Sequence, residues 1–230
     1  QVISILEGRP ARNTVNMAFL APEVHAVISP FLSVNSMIGK LLLHLANSQI
    51  IGVSIDYQGE ISDYDTSSLK SALLVGLLSP VSGENVNLIN APLVAQRRGF
   101  KISESKGLGV GEYGNLVTAT LKTDSGDITI SGTSLRNEVH IVRVNEYWLD
   151  MVPSVPYLLF VEHKDVPGSI GAVGTITGKH DINISFMEVG RLSVRGQAMM
   201  VLGIDDLISE SVLSEIRAID NIDAVKIVKL

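Results

Sequence analysis

Residues 157–230 carry a regular succession of element types, and this order restricts the fold more than any other feature of the chain. Short β-rich runs and helical patterns follow one another as strand, helix, strand, strand, helix, strand. The six segments are 157–162, 167–179, 182–190, 198–205, 209–218 and 224–228. This order is that of a ferredoxin-like βαββαβ domain. We therefore predict such a domain over residues 153–230.

The first helix of this domain is predicted to begin at Pro167-Gly168. Proline suits a first helical position because its fixed φ fits the helix and its missing N–H would be unbonded there anyway. The N–H groups from Val166 to Ser169 would then face outward with a partial positive charge. A small carboxylate could bind against them.

Three polar side chains are predicted to complete a site at this helix start. Asp165 and Asn183 could hold an ammonium or hydroxyl group, and His163 adds a donor or an acceptor. Together with the helix start, they favour recognition of a free amino acid. The alternative is that Asp165 only caps the helix, His163 is a surface residue and Asn183 is a turn residue within a strand. In that strand, Ile184 and Phe186 are predicted to share one face.

The upstream residues predict a second domain, of α+β class, over residues 21–148. Residues 1–20 look like a connector from a preceding domain, and residues 147–156 like a linker. Thr66 or Ser67 is predicted to cap the second helix, and Gly99 to end the third. The predicted helices are 22–45, 67–80 and 85–98, and an antiparallel meander follows with strands at 100–103, 115–122, 127–133 and 139–145, after an earlier strand at 50–57.

Composition excludes several classes of function. A net charge of −6 without a long basic run argues against nucleic-acid binding. The absence of cysteine rules out disulfides, thiolate clusters and cysteine nucleophiles. No uninterrupted apolar run reaches the length of a membrane span, and the first residues lack the basic head of a signal peptide. A cytoplasmic protein with no membrane partner is predicted.

No motif in the chain predicts catalysis. The glycines at 109, 111 and 114 match a dinucleotide-binding spacing, but the residues that follow them are strand-like, whereas a phosphate site needs a helix. The histidines lack metal-ligand spacing and the serines lack a nucleophile elbow, so neither metal ligands nor catalytic residues are predicted. Arg97, Arg98 and Lys101 form the densest basic cluster, which is either an anion site or a solvated helix end.

Several motifs in series resemble one family. Asp165-x-Pro-Gly168 and the strand around Asn183 look like an ACT domain, a small amino-acid-sensing module. The upstream motifs resemble the regulatory half of long-form D-3-phosphoglycerate dehydrogenases, and the resemblance covers essentially the whole chain. They are Glu7-Gly-Arg-Pro10, Val15-Asn16, Val86 to Pro92, Arg98-Gly99 and Ser131-Gly-Thr133.

This resemblance implies a regulatory role. In the family, separate domains carry out the NAD-dependent oxidation of 3-phosphoglycerate in serine biosynthesis, so this chain would hold neither catalytic residues nor a cofactor. Residues 21–148 would be the intervening, or allosteric substrate-binding, domain, and residues 1–20 would connect it to the substrate-binding domain. Residues 153–230 would be an ACT domain that pairs with its copy, within a tetrameric parent enzyme.

The resemblance also implies an effector, L-serine, bound where two ACT domains meet. The matching residues are His163, Asp165, Val166, Pro167, Gly168 and Asn183. Asp165 stands where serine-responsive relatives carry Asn, which adds a negative charge beside the ligand. Gly8 and residues 147–156 would transmit the response. Two alternatives are a structural assembly module without an effector and the regulatory part of an iron–sulfur serine dehydratase.

Overall fold

The computed structural model describes residues 22–83, 85–108 and 111–230. The chain divides into two compact units, Gln1–Val139 and His140–Leu230. The predicted connector at residues 1–20, with Gly8, lies outside the described residues, and so do residues 109 and 110 of the glycine motif. Both units combine helices with a sheet, which confirms the α+β class.

The first unit packs helices against a sheet in which β1 lies between β2 and β3, and β4 follows β3. Its elements are α1 (Pro22–Leu45), β1 (Ile50–Gly59), α2 (Ser67–Leu78), α3 (Ala91–Arg97), β2 (Lys101–Gly107), β3 (Asn115–Thr123) and β4 (Gly126–Leu135). The β3–β4 pair is antiparallel, as predicted. The β1–β2 pair is parallel, which was not predicted. The two helices between β1 and β2 form a crossover, which returns the chain in its original direction.

Helices α1 and α2 cross in close contact at two glycines, Gly39 on α1 and Gly76 on α2. A Cβ built on Gly39 would lie 2.0 Å from the carbonyl oxygen of Leu73, and one built on Gly76 would lie 2.0 Å from that of Ser36. Each helix therefore presents bare backbone to the other, at separations that a side chain would prevent. The fully buried residues beside this crossing include Ile38, Leu73 and Leu77.

Helix α1 is a core helix of this unit. Among the described residues, Val24–Leu45 is the one helix long and apolar enough to cross a membrane, judged by length and composition alone. Residues such as Ile28, Val34 and Ile38 are nevertheless fully buried within the unit. Polar residues interrupt the apolar stretch, and the side chain of Asn35 bonds the carbonyl of Phe31 inside it. These features are typical of a long helix in a folded core.

Helix α3 is shorter than the predicted 85–98. The side chain of Asn87 accepts hydrogen bonds from the N–H groups of Ile89 and Asn90, and that of Asn90 accepts one from the N–H of Asn87. These local bonds compete with the helical ones and hold a turn before Ala91. At the other end, Gly99 has φ 74° and terminates the helix as predicted.

Helix α2 begins with bonds from Asp65. Thr66 occupies the N-cap position but makes no capping bond through its side chain, contrary to the prediction for Thr66 or Ser67. Asp65 Oδ1 instead accepts hydrogen bonds from the N–H of Ser67 at 3.0 Å and from its hydroxyl at 2.5 Å. The bond from the hydroxyl, followed by that from the backbone, lowers the pKa of Asp65.

Replacing Asp65 with alanine is expected to destabilise the protein by about 1 kcal/mol at neutral pH, because both bonds are lost. Since the pKa of Asp65 is lowered on folding, this stabilisation is present above the ordinary value of 3.8 and disappears as the pH falls through the folded-state value. Urea unfolding at neutral and at strongly acid pH measures the difference. Ser68→Ala is the control, because the Ser68 hydroxyl is buried without a partner in the described part of the chain. Equal losses for the two variants would contradict the prediction.

The second unit contains a β-hairpin and a four-stranded sheet with two helices. The hairpin consists of β5 (Glu138–Val144), which begins at the border of the unit, and β6 (Tyr147–Met151). The remaining elements are β7 (Tyr157–Lys164), α4 (Ser169–Lys179), β8 (Ile184–Arg191), β9 (Gln197–Ile204), α5 (Glu210–Arg217) and β10 (Ile222–Lys229). The sheet order is β10-β7-β9-β8 with every pair antiparallel, which confirms the ferredoxin-like prediction.

Strand β6 corrects the prediction of a linker at residues 147–156. Leu149 and Met151 are buried and alternate with exposed residues, so the first half of this segment is a strand. The two prolines of the segment lie in its second half. The strand crosses β8 at Gly190, where a built Cβ would lie 2.6 Å from the carbonyl oxygen of Trp148. Burial, and then the nearby carboxylate of Glu162, raise the pKa of Tyr147.

A β-bulge interrupts β8. Its register against β9 shifts between Ile184, which pairs with Ile204, and Phe186, which pairs with Gly203. Ile184 and Met187 pack against the core that α4 and α5 cover. Phe186 lies over Gly203 instead, since a Cβ there would come within 2.3 Å of the ring. The prediction that Ile184 and Phe186 share a face is therefore wrong, because strict alternation fails at the inserted residue.

Candidate functional site

A pocket of about 350 Å³ opens where β7 ends and α4 begins. The β7–α4 loop forms one wall, and the hairpin joining β8 to β9 forms the other. Five of the six residues predicted to bind an effector line it. The lining consists of His163, Asp165, Val166, Pro167, Gly168, Ser169, Ile170, Arg191, Val194 and Arg195.

Helix α4 begins at Ser169, two residues later than predicted. Gly168 is its N-cap with φ 98°, a conformation that glycine adopts easily, so Pro167 belongs to the preceding turn. The N–H of Val166 donates to the carbonyl of Lys164 at 2.8 Å, and that of Ser169 donates to the carbonyl of Val166 at 3.3 Å. These two amides are therefore used within the loop, contrary to the predicted role in binding a carboxylate.

The β7–α4 loop is tied to the start of β10. The side chain of Ser169 is buried and donates to the carbonyl of Val166 at 2.9 Å. The side-chain amide of Asn221 donates to the Ser169 hydroxyl. The backbone carbonyl of Asn221 accepts from the N–H of Lys164 at 2.9 Å. Sequence patterns give no sign of Asn221, because it lies 52 residues from Ser169 along the chain.

His163 lies inside the pocket wall with 1% of its surface exposed, so it is not a surface residue. Its Nδ1 is 3.3 Å from the carbonyl oxygen of Val161. A carbonyl can only accept, so in the neutral ring Nδ1 carries the hydrogen and Nε2 is an acceptor. Within the described residues Nε2 has no hydrogen-bond partner, which leaves it available to a ligand that donates a hydrogen.

Asp165 holds the two walls of the pocket together. Its N–H donates to the carbonyl of Gly196 at 2.8 Å. Its Oδ2 accepts from the N–H of Arg195 at 3.3 Å and lies 3.4 Å from Nη1 of Arg191. Because α4 begins without a side-chain capping bond, the alternative in which Asp165 only caps the helix does not describe this geometry.

The second wall of the pocket, which contains Arg191, Val194 and Arg195, was not predicted from the sequence. A signal was present, because β8 and β9 were both predicted and the turn between them must return to the end of the sheet where β7 finishes. In the structure, His163 pairs with Ala198, and Arg191 pairs with the same residue from the other side.

Asn183 lies at the opposite end of the sheet from the pocket. Its amide donates to Asp205 at 2.7 Å, just beyond the pairing of Ile184 with Ile204. His163 is beside Ala198, six residues earlier on β9, which corresponds to about 20 Å at the usual rise per residue of a strand. A single chain therefore does not bring Asn183 to the other predicted residues.

The basic cluster lies on the surface of the first unit. Arg97 and Arg98 are exposed at the end of α3, and Lys101 is exposed at the start of β2. The guanidinium of Arg98 donates to the carbonyl of Val81 at 3.1 Å. The assignment of an anion site to these residues stays a prediction.

Comparison with known proteins relates both units to one group. The family model of the D-3-phosphoglycerate dehydrogenase intervening domain matches residues 27–145, and the ACT domain model matches residues 157–221. D-3-phosphoglycerate dehydrogenases from Synechocystis, Methanocaldococcus jannaschii and Bacillus subtilis are 35%, 32% and 31% identical over the whole chain. The chain spans 42%, 44% and 44% of their respective lengths.

Proposed function

Because the chain belongs to the family of the D-3-phosphoglycerate dehydrogenase intervening domain, we propose that it is the regulatory and oligomerisation region of such an enzyme. The parent would be a cytoplasmic enzyme that oxidises 3-phosphoglycerate with NAD at the start of serine biosynthesis. In this chain the second unit, which matches the ACT model, would sense L-serine. The alternative serine dehydratase parent is less well supported, because the three relatives described above, which align over the whole chain, are D-3-phosphoglycerate dehydrogenases.

The observation that carries this proposal is the pocket between the β7–α4 loop and the β8–β9 hairpin. It offers a carboxylate at Asp165 for an ammonium group and the guanidinium group of Arg195 for a carboxylate. The Nε2 atom of His163 can accept a hydrogen bond from a hydroxyl group. Serine carries all three of these groups. An uncharged ligand would leave the carboxylate of Asp165 and the guanidinium groups of the pocket without an ion of opposite charge from the ligand.

The sensing site would be completed by a second copy of the chain. Among the strands that the structure describes, β8 is at the edge of its sheet, and the N–H and C=O groups of its outer side are suited to pairing with another strand. Val189 on β8, Leu192 and Val194 in the β8–β9 turn and Ile170 on α4 are apolar and exposed. In an antiparallel pair of β8 strands related by a two-fold axis, the start of one strand lies beside the end of the other. Such a pair would bring the partner's Asn183 to the end of the sheet that holds the pocket.

Serine binding would regulate the parent only if two arrangements of the region bind it differently. Coupling free energies of this kind are typically about 1–3 kcal/mol and are reciprocal between the two sites. Serine would then favour one arrangement of the paired ACT domains. The intervening domain would transmit this change of arrangement to the catalytic domains of the parent.

Calorimetric titration of L-serine into the chain, combined with light scattering, tests the proposal. We expect saturable binding by a dimer, and about tenfold weaker binding by Asn183→Ala because one hydrogen bond to the ligand is lost. Ser211→Ala, an exposed change on α5, is the control and should bind as the wild type does. A dimer that binds no serine would instead support the structural assembly module.

A further inference from the structure

Two arginines make this pocket different from a neutral polar cleft. Arg191 ends β8, and Arg195 lies in the turn between β8 and β9. We propose that the guanidinium of Arg195 binds the carboxylate of the effector, and that Arg191 is a displaceable counter-ion of Asp165, which binds the effector's ammonium group. This inference rests on the proposed function and deepens it, because it assigns each charged group of the ligand to a residue.

The backbone of Arg195 is fixed beside the pocket. Its N–H donates to Asp165 at 3.3 Å, and its φ of 58° is held by a tight turn in which the N–H of Gly196 donates to the carbonyl of Ser193 at 3.0 Å. The carbonyl of Gly196 in turn accepts from the N–H of Asp165. Among the described residues, the guanidinium of Arg195 has no hydrogen-bond or ion-pair partner. A positively charged group is thus anchored at its base and available at its tip.

The charges in the pocket leave an excess that a carboxylate would neutralise. Asp165 supplies one negative charge, whereas Arg191 and Arg195 supply two positive charges. The start of α4 adds a partial positive charge on the opposite wall. The planar guanidinium presents two parallel N–H groups that match the two oxygens of a carboxylate, a geometry that an ammonium group does not offer. Arg195 is therefore the best match for the carboxylate of an amino acid.

Arg191 has the geometry of a counter-ion that a ligand can replace. Its Nη1 lies 3.4 Å from Oδ2 of Asp165, and the two side chains are 57% and 30% exposed. An exposed pair at this distance contributes little, because water screens the attraction and both side chains lose freedom. The ammonium group of an amino acid could take its place on Asp165. Arg191 and the ligand would then compete, so the two arginines should have opposite effects on binding.

The test is to measure the affinity of the wild type and of each variant for two ligands. L-Serine and L-serinamide share the ammonium and hydroxyl groups, but only serine has a carboxylate. We expect the wild type to bind serine at least tenfold more tightly than serinamide. Arg195→Met should reduce this ratio nearly to one by weakening serine alone. Arg191→Met should strengthen serine binding by a few fold, because it removes the competitor for Asp165.

Arg217→Met on α5 is the control, because Arg217 pairs with Glu210 outside the pocket. Thermal unfolding of each variant establishes that it folds. Serine binding with a serine-to-serinamide ratio that Arg195→Met leaves unchanged would overturn this inference and leave the proposed function standing. Equal weakening of serine by both arginine variants would also overturn it. Failure of the wild type to bind serine would overturn the proposed function and this inference together.

Discussion

Gly39→Ala is expected to destabilise the first unit by about 3 kcal/mol or more, which is at the upper end of the usual effect of overpacking a core. The added methyl group would lie 2.0 Å from the carbonyl oxygen of Leu73 and 2.9 Å from the backbone nitrogen of Leu77. Both atoms belong to the main chain of α2, so no side-chain rotation relieves the clash. The helices would have to separate and lose buried contacts around the crossing. Urea unfolding followed by circular dichroism measures the change.

Gly178→Ala is the matched control for this prediction. Gly178 lies in the last turn of α4, where a built Cβ meets nothing within 4 Å. The exchange should alter stability by at most about 1 kcal/mol, the difference in helix propensity between the two residues. If Gly39→Ala proved as stable as the wild type, the two helices could not cross so closely in solution.

Gly190→Val should destabilise the second unit by about 2–3 kcal/mol and displace β6. A Cβ at this position would lie 2.6 Å from the carbonyl oxygen of Trp148 and 3.2 Å from the Cβ of Tyr147. A branched side chain would extend further into the space that β6 occupies. The chain has a single tryptophan, so the fluorescence of Trp148 reports directly on this contact.

The expected signal is a change in Trp148 emission in the native state together with a lower unfolding temperature. Trp148 is 54% exposed and lies 5.5 Å from the guanidinium of Arg143, and both features depend on the position of β6. Gly174→Ala in α4 is the control, since a Cβ there meets nothing within 4 Å. Unchanged emission and stability in Gly190→Val would show that β6 does not cross β8 at this glycine.

Hydrophobic periodicity was sufficient to predict most elements of both units. The βαββαβ order of residues 157–230 follows from local patterns, because each buried strand and amphipathic helix carries its own period. The parallel pairing of β1 with β2 could not be read in this way, because it depends on where a crossover returns the chain. The turn before Ala91 was missed because asparagine side chains replaced helical bonds that the apolar spacing favoured.

The candidate site was predictable on one wall only. His163, Asp165 and Gly168 lie within one short segment, and the turn between a strand and a helix brings them together. Arg191 and Arg195 approach through antiparallel pairing, which is not visible in local spacing. Asn183 was grouped with them as a polar residue of the following strand and again by family resemblance, but within one chain it lies beside the far end of β9 and donates to Asp205.

The extra residue in β8 determines which charges the pocket contains. Upstream of it, Ile182 and Ile184 face the helices, and downstream Met187 does so. Two-residue alternation from Met187 turns Val189 and Arg191 to that same side. If β8 paired with β9 without this bulge, strict alternation from Ile184 would instead turn Phe186, Glu188 and Gly190 to that side. The guanidinium of Arg191 would then point away from Asp165, so the bulge decides whether this cleft carries its first arginine.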